Sequence, residues 1–177
     1  EARMGTMESI TAGVSAGVLS ITASALLGSD GVLTIDLSGD TSATGANIID
    51  VSNDDGSEAW TLTGSAGADT ITGDGGIDTI TGGGGIDTIT GAAGADVIDG
   101  GAGNDIFKYS TTALLVDSNA LVDSLTGGDG TDTIQLTAAA DTTLTLASTD
   151  LIEARMGTME SITAGVSAGV LSITASA

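Results

Sequence analysis

The chain has 177 residues and a formal net charge of −21 at pH 7, with 24 acidic and 3 basic side chains, 28 glycines and no proline, cysteine or histidine. The lack of histidine excludes a serine–histidine triad and a zincin-type zinc site in this sequence, and the lack of cysteine excludes a disulfide framework. Because nucleic acids and anionic membrane surfaces are bound by clustered Lys and Arg, the charge argues against both as partners and favours cations.

Hydrophobic segments are short throughout the sequence. No stretch approaches the roughly 20 apolar residues of a membrane span, and no signal peptide opens the chain, so no membrane insertion is predicted. With 2% aromatic residues, the core is predicted to be a narrow file of Ile, Leu and Val. Because the first residue is Glu1 rather than Met, we expect the sequence to be a section of a longer protein.

Residues 1–63 are predicted to form irregular coils of a β-solenoid. Apolar and small polar residues alternate there with the period of a β-strand, and Gly, Asp, Ser and Asn fill the gaps as turns require. The successive strand centres Ile21, Ile35, Ile49 and Leu62 lie 14, 14 and 13 residues apart. The predicted strands are residues 8–12, 18–24, 32–38, 47–52 and 60–64.

Residues 64–108 repeat one nine-residue pattern five times without a gap, and residues 127–135 repeat it once more. The pattern is G-x-x-G-x-D-x-U-x, where U is a large apolar residue. So strict a period predicts rungs that are stable only when stacked. Strand alternation points the U residue inward and its neighbours, such as Thr70 and Thr72, outward. The inward residues are Ile71, Ile80, Ile89, Ile98, Phe107 and Ile134.

The sixth position of the nonapeptide is aspartate in every copy. These residues are Asp69, Asp78, Asp87, Asp96, Asp105 and Asp132. Strands of a sheet lie about 4.8 Å apart, so carboxylates stacked at that spacing would repel each other unless cations lay between them. Oxygen ligands without nitrogen or sulfur donors favour Ca²⁺ over zinc or copper. If two nonapeptides form one coil, copies one, three and five supply one aspartate ladder, and copies two and four supply the facing one.

This run resembles the nonapeptide of the RTX, or repeats-in-toxin, family. The resemblance implies an all-β fold, a right-handed parallel β-roll or β-helix with calcium-binding Gly-Asp turns. It also implies an extracellular or cell-surface location reached by bacterial type I secretion. By motif position, the turn carbonyls that would join the aspartates as calcium ligands belong to Gly67, Gly76, Gly85, Gly94 and Gly103. Ser65, Asp74 and Ala92 replace the second glycine of the family pattern, which predicts distortion of some sites.

The remainder of the chain is less regular. Residues 109–126 interrupt the rhythm and are predicted to form a loop or a short helix, and residues 127–152 hold the sixth repeat and closing strands. Residues 153–177 are identical to residues 1–25. We interpret this second segment as the start of the next copy of a 152-residue tandem repeat, with a duplication introduced by engineering as the alternative.

Together these features predict a calcium-binding structural repeat, not an enzyme, in an extracellular fibre, surface layer or adhesin stalk. Its partners would be calcium ions and head-to-tail copies of itself, and it would fold on calcium binding after secretion. Two alternatives stay open. One is the RTX secretion and folding domain of an exported enzyme. The other is an ice-binding β-solenoid, based on the outward Thr pairs at residues 70 and 72, 79 and 81, and 88 and 90.

Overall fold

A computed structural model describes ten segments of the chain. Within them the chain is all-β, and no helix has the length and hydrophobicity that a membrane span requires. The segments are residues 9–11, 18–24, 32–53, 58–111, 116–117, 120–137, 142–147, 156–157, 159–164 and 171–176.

The described residues form 18 strands of two to six residues each. They are β1 (Ser9–Thr11), β2 (Ser20–Ser24), β3 (Val32–Asp36), β4 (Ile48–Asn53), β5 (Ala59–Thr63), β6 (Thr70–Thr72), β7 (Thr79–Gly84), β8 (Thr88–Thr90), β9 (Val97–Ala102), β10 (Ile106–Tyr109), β11 (Val116–Asp117), β12 (Ala120–Leu121), β13 (Ser124–Asp129), β14 (Asp132–Leu136), β15 (Thr142–Ala147), β16 (Met156–Gly157), β17 (Met159–Ala164) and β18 (Leu171–Ser176).

Alternate strands stack into two parallel sheets of seven strands. One sheet has the order β1-β3-β5-β7-β9-β13-β16, and the other has the order β17-β14-β10-β8-β6-β4-β2. Two smaller sheets are the antiparallel pair β11–β12 and the parallel pair β15–β18. Because consecutive strands from β1 to β10 alternate between the large sheets, two strands make one coil and each coil lies on the one before it. The predicted parallel β-roll is therefore confirmed.

Coil length is constant in the nonapeptide region and is greater after it. Thr79 in β7 pairs with Val97 in β9, and hydrogen bonds between these coils join residues 18 apart. Val97 in turn pairs with Ser124 in β13, and the corresponding hydrogen bonds join residues 27 apart. The longer coil includes β11 and β12, which lie in the part of the chain predicted as a loop or short helix. Residues 112–115 and 118–119 of that part lie outside the described residues.

A file of apolar side chains lies between the two large sheets. Every position-eight residue of the nonapeptides is buried, with Ile71 opposite Ile89 and Ile80 opposite Ile98 in neighbouring coils. Trp60 and Tyr109 are buried in the same core, as is Phe107, which the sequence predicted to point inward. Full burial of one such aliphatic side chain stabilises by about 1.5 to 3 kcal/mol. A single coil buries few of them, so the stability of the fold depends on stacking.

Outward threonines form short ranks on both large sheets. On one sheet, Thr70 and Thr72 of β6 lie beside the corresponding threonines of β8. On the other, Thr61 and Thr63 of β5 lie beside those of β7. The first rank ends at β4 and β10, where Asp50 and other residues take these places. Each rank of Thr-x-Thr pairs is therefore two strands deep.

The two identical 25-residue segments lie at opposite ends of the stack. In the first, β1 pairs with β3, and Ile10 lies opposite Ile35. In the second, β17 pairs with β14, and Ile162, the equivalent of Ile10, lies opposite Ile134. The same short sequence is thus joined to a following coil in one copy and to a preceding coil in the other. Much of both segments, including residues 1–8, 12–17, 151–155 and 165–170, lies outside the described residues.

Candidate metal centre

One edge of the stack, where glycine-rich turns connect the two large sheets, carries a ladder of buried aspartates. Its members are Asp69, Asp87, Asp105 and Asp132. The Oδ1 atom of each aspartate accepts a hydrogen bond from the backbone amide of the aspartate one coil earlier. Asp69 donates to Asp87 at 2.7 Å, Asp87 to Asp105 at 2.9 Å, and Asp105 to Asp132 at 2.8 Å. The stacking of nonapeptides one, three and five that the sequence predicted is present, and Asp132 of the sixth copy extends it.

A second ladder follows the opposite edge. The amide of Asp78 donates to Asp96, and the amide of Asp96 donates to Asp123, each at 2.9 Å. The sequence predicted the first two members but missed Asp123. It lies nine residues before Asp132 and keeps the D-x-U-x half of the repeat, with Leu125 as the buried apolar residue. The glycines that mark the other copies are absent, so this half-pattern was the only signal available.

Burial dominates the electrostatics of the ladders. It raises the pKa of Asp78 to about 6, that of Asp87 to about 7 and that of Asp96 to about 8, while hydrogen bonds from backbone amides oppose the rise and neighbouring carboxylates add to it. Burial raises the pKa of Asp105 for the same reason. The ionised ladder is therefore unfavourable in this fold unless positive charge accompanies it.

In several ladder aspartates, one of the two carboxylate oxygens has no hydrogen-bond donor. The Oδ2 atoms of Asp87, Asp96 and Asp105 are buried and have no hydrogen-bond partner. Buried polar atoms in folded proteins are nearly always satisfied, and an unpaired carboxylate oxygen is among the costliest exceptions. These oxygens are consequently the atoms of the ladder most suited to contact a cation.

The first glycine of each turn leaves a small space next to these oxygens. A β-carbon on Gly82 would meet both Oδ2 of Asp87 and, at 2.5 Å, the carbonyl oxygen of Gly100 in the next coil. A β-carbon on Gly100 would likewise meet Asp105 and, at 2.5 Å, the carbonyl oxygen of Gly127. These two spaces, beside Gly82 and Gly100, are each lined by a carboxylate and a carbonyl oxygen, which is the ligand type that Ca²⁺ prefers. The residues present therefore fit calcium.

The glycine carbonyls predicted as ligands face a different neighbour. The carbonyl oxygen of Gly67 lies 2.8 Å from the point where a β-carbon of Gly85 would stand, and the carbonyls of Gly76 and Gly85 face Gly94 and Gly103 in the same way. The carbonyls that share a space with the Oδ2 atoms of Asp87 and Asp105 belong instead to the first-position glycines Gly100 and Gly127, which the sequence interpretation did not single out. The roles of the five predicted glycines and six predicted aspartates as calcium ligands stay predictions.

Comparison with protein families identifies the repeat. The model described as the RTX calcium-binding nonapeptide repeat (4 copies) matches residues 61–85, 72–107 and 119–145. The chain carries RTX calcium-binding nonapeptide repeats. RTX nonapeptides bind calcium, so calcium is the ligand of these turns. The third matched range includes Asp123 and Asp132, the last members of the two ladders that are identified in the described part of the chain. No curated protein and no solved structure matches the chain.

The RTX turns offer few side-chain ligands for each ion. Among the residues that the structure describes, no three acidic, histidine or cysteine side chains are grouped to hold a metal. Because each turn contributes one ladder carboxylate, a calcium ion here would take most of its ligands from the backbone. Turn conformation is therefore as important as side-chain identity.

Backbone strain in the turns is concentrated at one of the three departures from the RTX pattern. The second turn position has a φ of 111° at Gly83 and 95° at Gly101, values that suit glycine. Ala92 occupies that position with a φ of 77° and is the only non-glycine residue with positive φ in the described ranges. Ser65 and Asp74, at the equivalent position, do not share this conformation, so their side chains are accommodated without that strain.

Proposed function

We propose that this chain is a calcium-stabilised structural unit of an extracellular fibre, surface layer or adhesin stalk, with no enzymatic role. The observation that carries the proposal is the pair of buried aspartate ladders, in which oxygens of Asp87, Asp96 and Asp105 without hydrogen-bond donors lie in turns rich in backbone carbonyls. RTX repeat proteins are typically secreted by bacteria, which supports an extracellular location in general. Type I secretion is the proposed route.

The ladder residues couple folding to calcium. When bound, calcium supplies the positive charge that balances the buried carboxylates. Without it, the ionised aspartates raise the free energy of the folded state, and ordering the backbone costs about 1 to 2 kcal/mol per residue, which a thin core does not offset. Extracellular modules bind calcium with Kd values of about 0.1 to 1 mM. We expect the chain to stay unfolded in a calcium-poor cytosol and to fold outside.

A circular dichroism titration tests this coupling. In excess chelator the far-UV spectrum should lack a β-sheet signal, and the signal should rise as free calcium passes through about 0.1 to 1 mM. Magnesium serves as the control, because it requires a tighter octahedral geometry and releases its water reluctantly. A spectrum that is already fully β in chelator would contradict the proposal.

The duplicated segments support head-to-tail association. The strand that contains Ile10 pairs with β3 in the first copy, and the equivalent strand, which contains Ile162, pairs with β14 in the second. Since a parallel strand has two hydrogen-bonding edges, one such strand has the register to join β14 of one unit to β3 of the next. The proposed protein partner is therefore a second copy of this chain, stacked as a continuing solenoid.

Sedimentation velocity in calcium should show larger species as protein concentration rises, and a monomer at every concentration would count against this partner.

The two alternative functions stay predictions. A secretion and folding domain of an exported enzyme would use the same calcium-dependent folding, and the sequence that flanks this chain distinguishes it from a tandem array. Ice binding would rest on Thr-x-Thr ranks that are two strands deep on each sheet. Thermal hysteresis measured in calcium tests that alternative.

A further inference from the structure

Asp69, the first aspartate of its ladder, has surroundings unlike those of the aspartates that follow it. Its Oδ2 atom accepts two hydrogen bonds from Ser65, one from the backbone amide at 2.6 Å and one from the hydroxyl at 2.8 Å. Its Oδ1 atom accepts the backbone amide of Asn47 at 2.8 Å. The side chain is 2% exposed, so the protein itself supplies the donors that stabilise this carboxylate. Both oxygens of this carboxylate are therefore satisfied by donors of the protein, three in all.

The Ser65 hydroxyl belongs to a complete polar network. Besides donating to Asp69, it accepts the amide of Gly67 at 3.1 Å and the side-chain amide of Asn47 at 3.0 Å. One donor and two acceptor sites are all that a hydroxyl has. The Asn47 side-chain amide also lies 3.4 Å from Oδ2 of Asp40. No unused donor or acceptor of Ser65 remains to be satisfied by an ion.

The next aspartates in the ladder have no such donor. The turn position of Ser65 is occupied by Gly83 in the turn of Asp87 and by Gly101 in the turn of Asp105. A glycine offers no hydroxyl, and the Oδ2 atoms of both aspartates are buried without a hydrogen-bond partner. Gly83 and Gly101 also differ from Ser65 in backbone conformation, with φ of 111° and 95°, and their amides do not donate to Oδ2. The contrast therefore follows this one turn position, since the backbone ladder through Oδ1 is the same in all three coils.

Asn47 takes the place of the aspartate in the coil before Asp69. Its Oδ1 atom accepts the backbone amide of Leu19 at 2.9 Å, so it continues the ladder as an aspartate would. Its side chain is neutral. The repulsion that a stacked carboxylate would add at this level is therefore absent, and the ladder continues toward the first coils without a further negative charge.

From this arrangement we infer that Ser65 and Asn47 make the Asp69 rung free of metal, so that calcium binding on this edge begins at Asp87. The inference rests on the proposed calcium role and refines it. Ser65 determines whether this rung binds calcium, because its hydroxyl donates a hydrogen bond to the carboxylate oxygen that would contact calcium in later rungs. The rung marks a boundary between a coil whose ladder carboxylate is satisfied by hydrogen bonds from the protein and coils that need calcium.

Bound calcium per chain, measured at saturating calcium by equilibrium dialysis and by native mass spectrometry, tests the inference. Ser65→Gly restores the glycine found at this position in later turns and should bind one more ion than the unmodified chain. Ala66→Gly, the adjacent substitution that removes only a methyl group outside the network, is the matched control and should leave the number unchanged. An unchanged number in Ser65→Gly would overturn the inference.

A second comparison remains informative if Ser65→Gly does not fold. Asp69→Asn should bind as many ions as the unmodified chain, whereas Asp87→Asn should bind at least one fewer. Equal losses in the two variants would overturn the inference. A chain that binds calcium without gaining β-structure would contradict the proposed folding role. The number of ions bound by Asp69→Asn and Asp87→Asn could still be compared, so failure of the proposed function can be distinguished from failure of this inference.

Discussion

At the scale of single residues, Asp87 uses its two carboxylate oxygens for different purposes. The Oδ1 atom accepts the amide of Asp69 at 2.7 Å and fixes the register between coils. The Oδ2 atom has no donor and faces the space beside Gly82. A neutral amide oxygen can accept the hydrogen bond that Oδ1 accepts, whereas contact of Oδ2 with a cation depends on negative charge. A substitution that keeps the shape of the side chain and removes its charge separates these two roles.

The substitution Asp87→Asn should have opposite effects with and without calcium. In chelator it removes a buried charge while an acceptor remains for Asp69, so we expect a β-sheet signal at least as large as that of the unmodified chain. In calcium it removes a ligand, so we expect the calcium midpoint of folding to rise by about tenfold, or about 1.4 kcal/mol. Circular dichroism measures both quantities.

Asp36→Asn is the control for that experiment. Asp36 lies outside the ladders, and hydrogen bonds from Ser38 hold its pKa below the usual value. Its replacement should leave the calcium midpoint unchanged. If Asp87→Asn leaves the calcium midpoint unchanged, the carboxylate matters only for its hydrogen bond, and its role as a ligand is wrong.

At the scale of one element, strand β7 ends with three glycines, and two of them, Gly82 and Gly84, differ in what surrounds them. A β-carbon on Gly82 would enter the space between Asp87 and the Gly100 carbonyl. A β-carbon on Gly84 would find its nearest neighbour at 3.5 Å, an ordinary van der Waals distance. Neither glycine has a positive φ, so the difference between them is one of space and not of backbone conformation.

We therefore expect Gly82→Ala to raise the calcium midpoint of folding and to reduce the number of bound ions. Gly84→Ala should change the free energy of unfolding in calcium by no more than about 0.5 kcal/mol. Circular dichroism titration and equilibrium dialysis on the two variants provide the comparison. Similar behaviour of both would show that the space beside Gly82 is not where calcium is held.

The regular turns could be predicted from the sequence because their spacing equals half a coil. Aspartates nine residues apart alternate between edges, so the ladders of Asp69 and Asp78 follow from counting. Asn47 and Asp123 occupy ladder positions in coils of different length, so a nine-residue spacing does not predict them. The hydrogen bonds to Oδ1 and the position of the Gly100 carbonyl depend on how two coils stack in space, which one repeat does not encode by itself.

At the scale of the whole molecule, the raised aspartate pKa values predict that protons can partly replace calcium. A carboxyl group whose pKa is higher in the folded than in the unfolded chain stabilises the fold fully below the unfolded value, 3.8 here, and this contribution is lost as pH rises through the folded value. For Asp78, Asp87 and Asp96 the loss extends from 3.8 to about 6, 7 and 8, respectively.

In chelator, the β-sheet signal should therefore increase as pH is lowered from about 8 to about 4. Far-UV circular dichroism across this range measures it. In moderate calcium the calcium midpoint should instead rise as pH falls, because protons compete for the same carboxylates. A calcium-free chain that is more folded at pH 8 than at pH 5 would contradict the assignment of buried, raised-pKa aspartates.

The long coil around β11 and β12 bears on how such chains can diversify. Val97 meets Ser124 in the same parallel register as the shorter coils, although the path between them is longer by one nonapeptide. At the return of this path, the hydroxyl of Tyr109 donates to Asp123 at 2.6 Å and ties the two ends together. Because the ends are fixed, insertions and sequence drift between them leave both ladders intact. Evolution, or a protein engineer, can therefore lengthen this excursion to display new surface without rebuilding the coils beneath it.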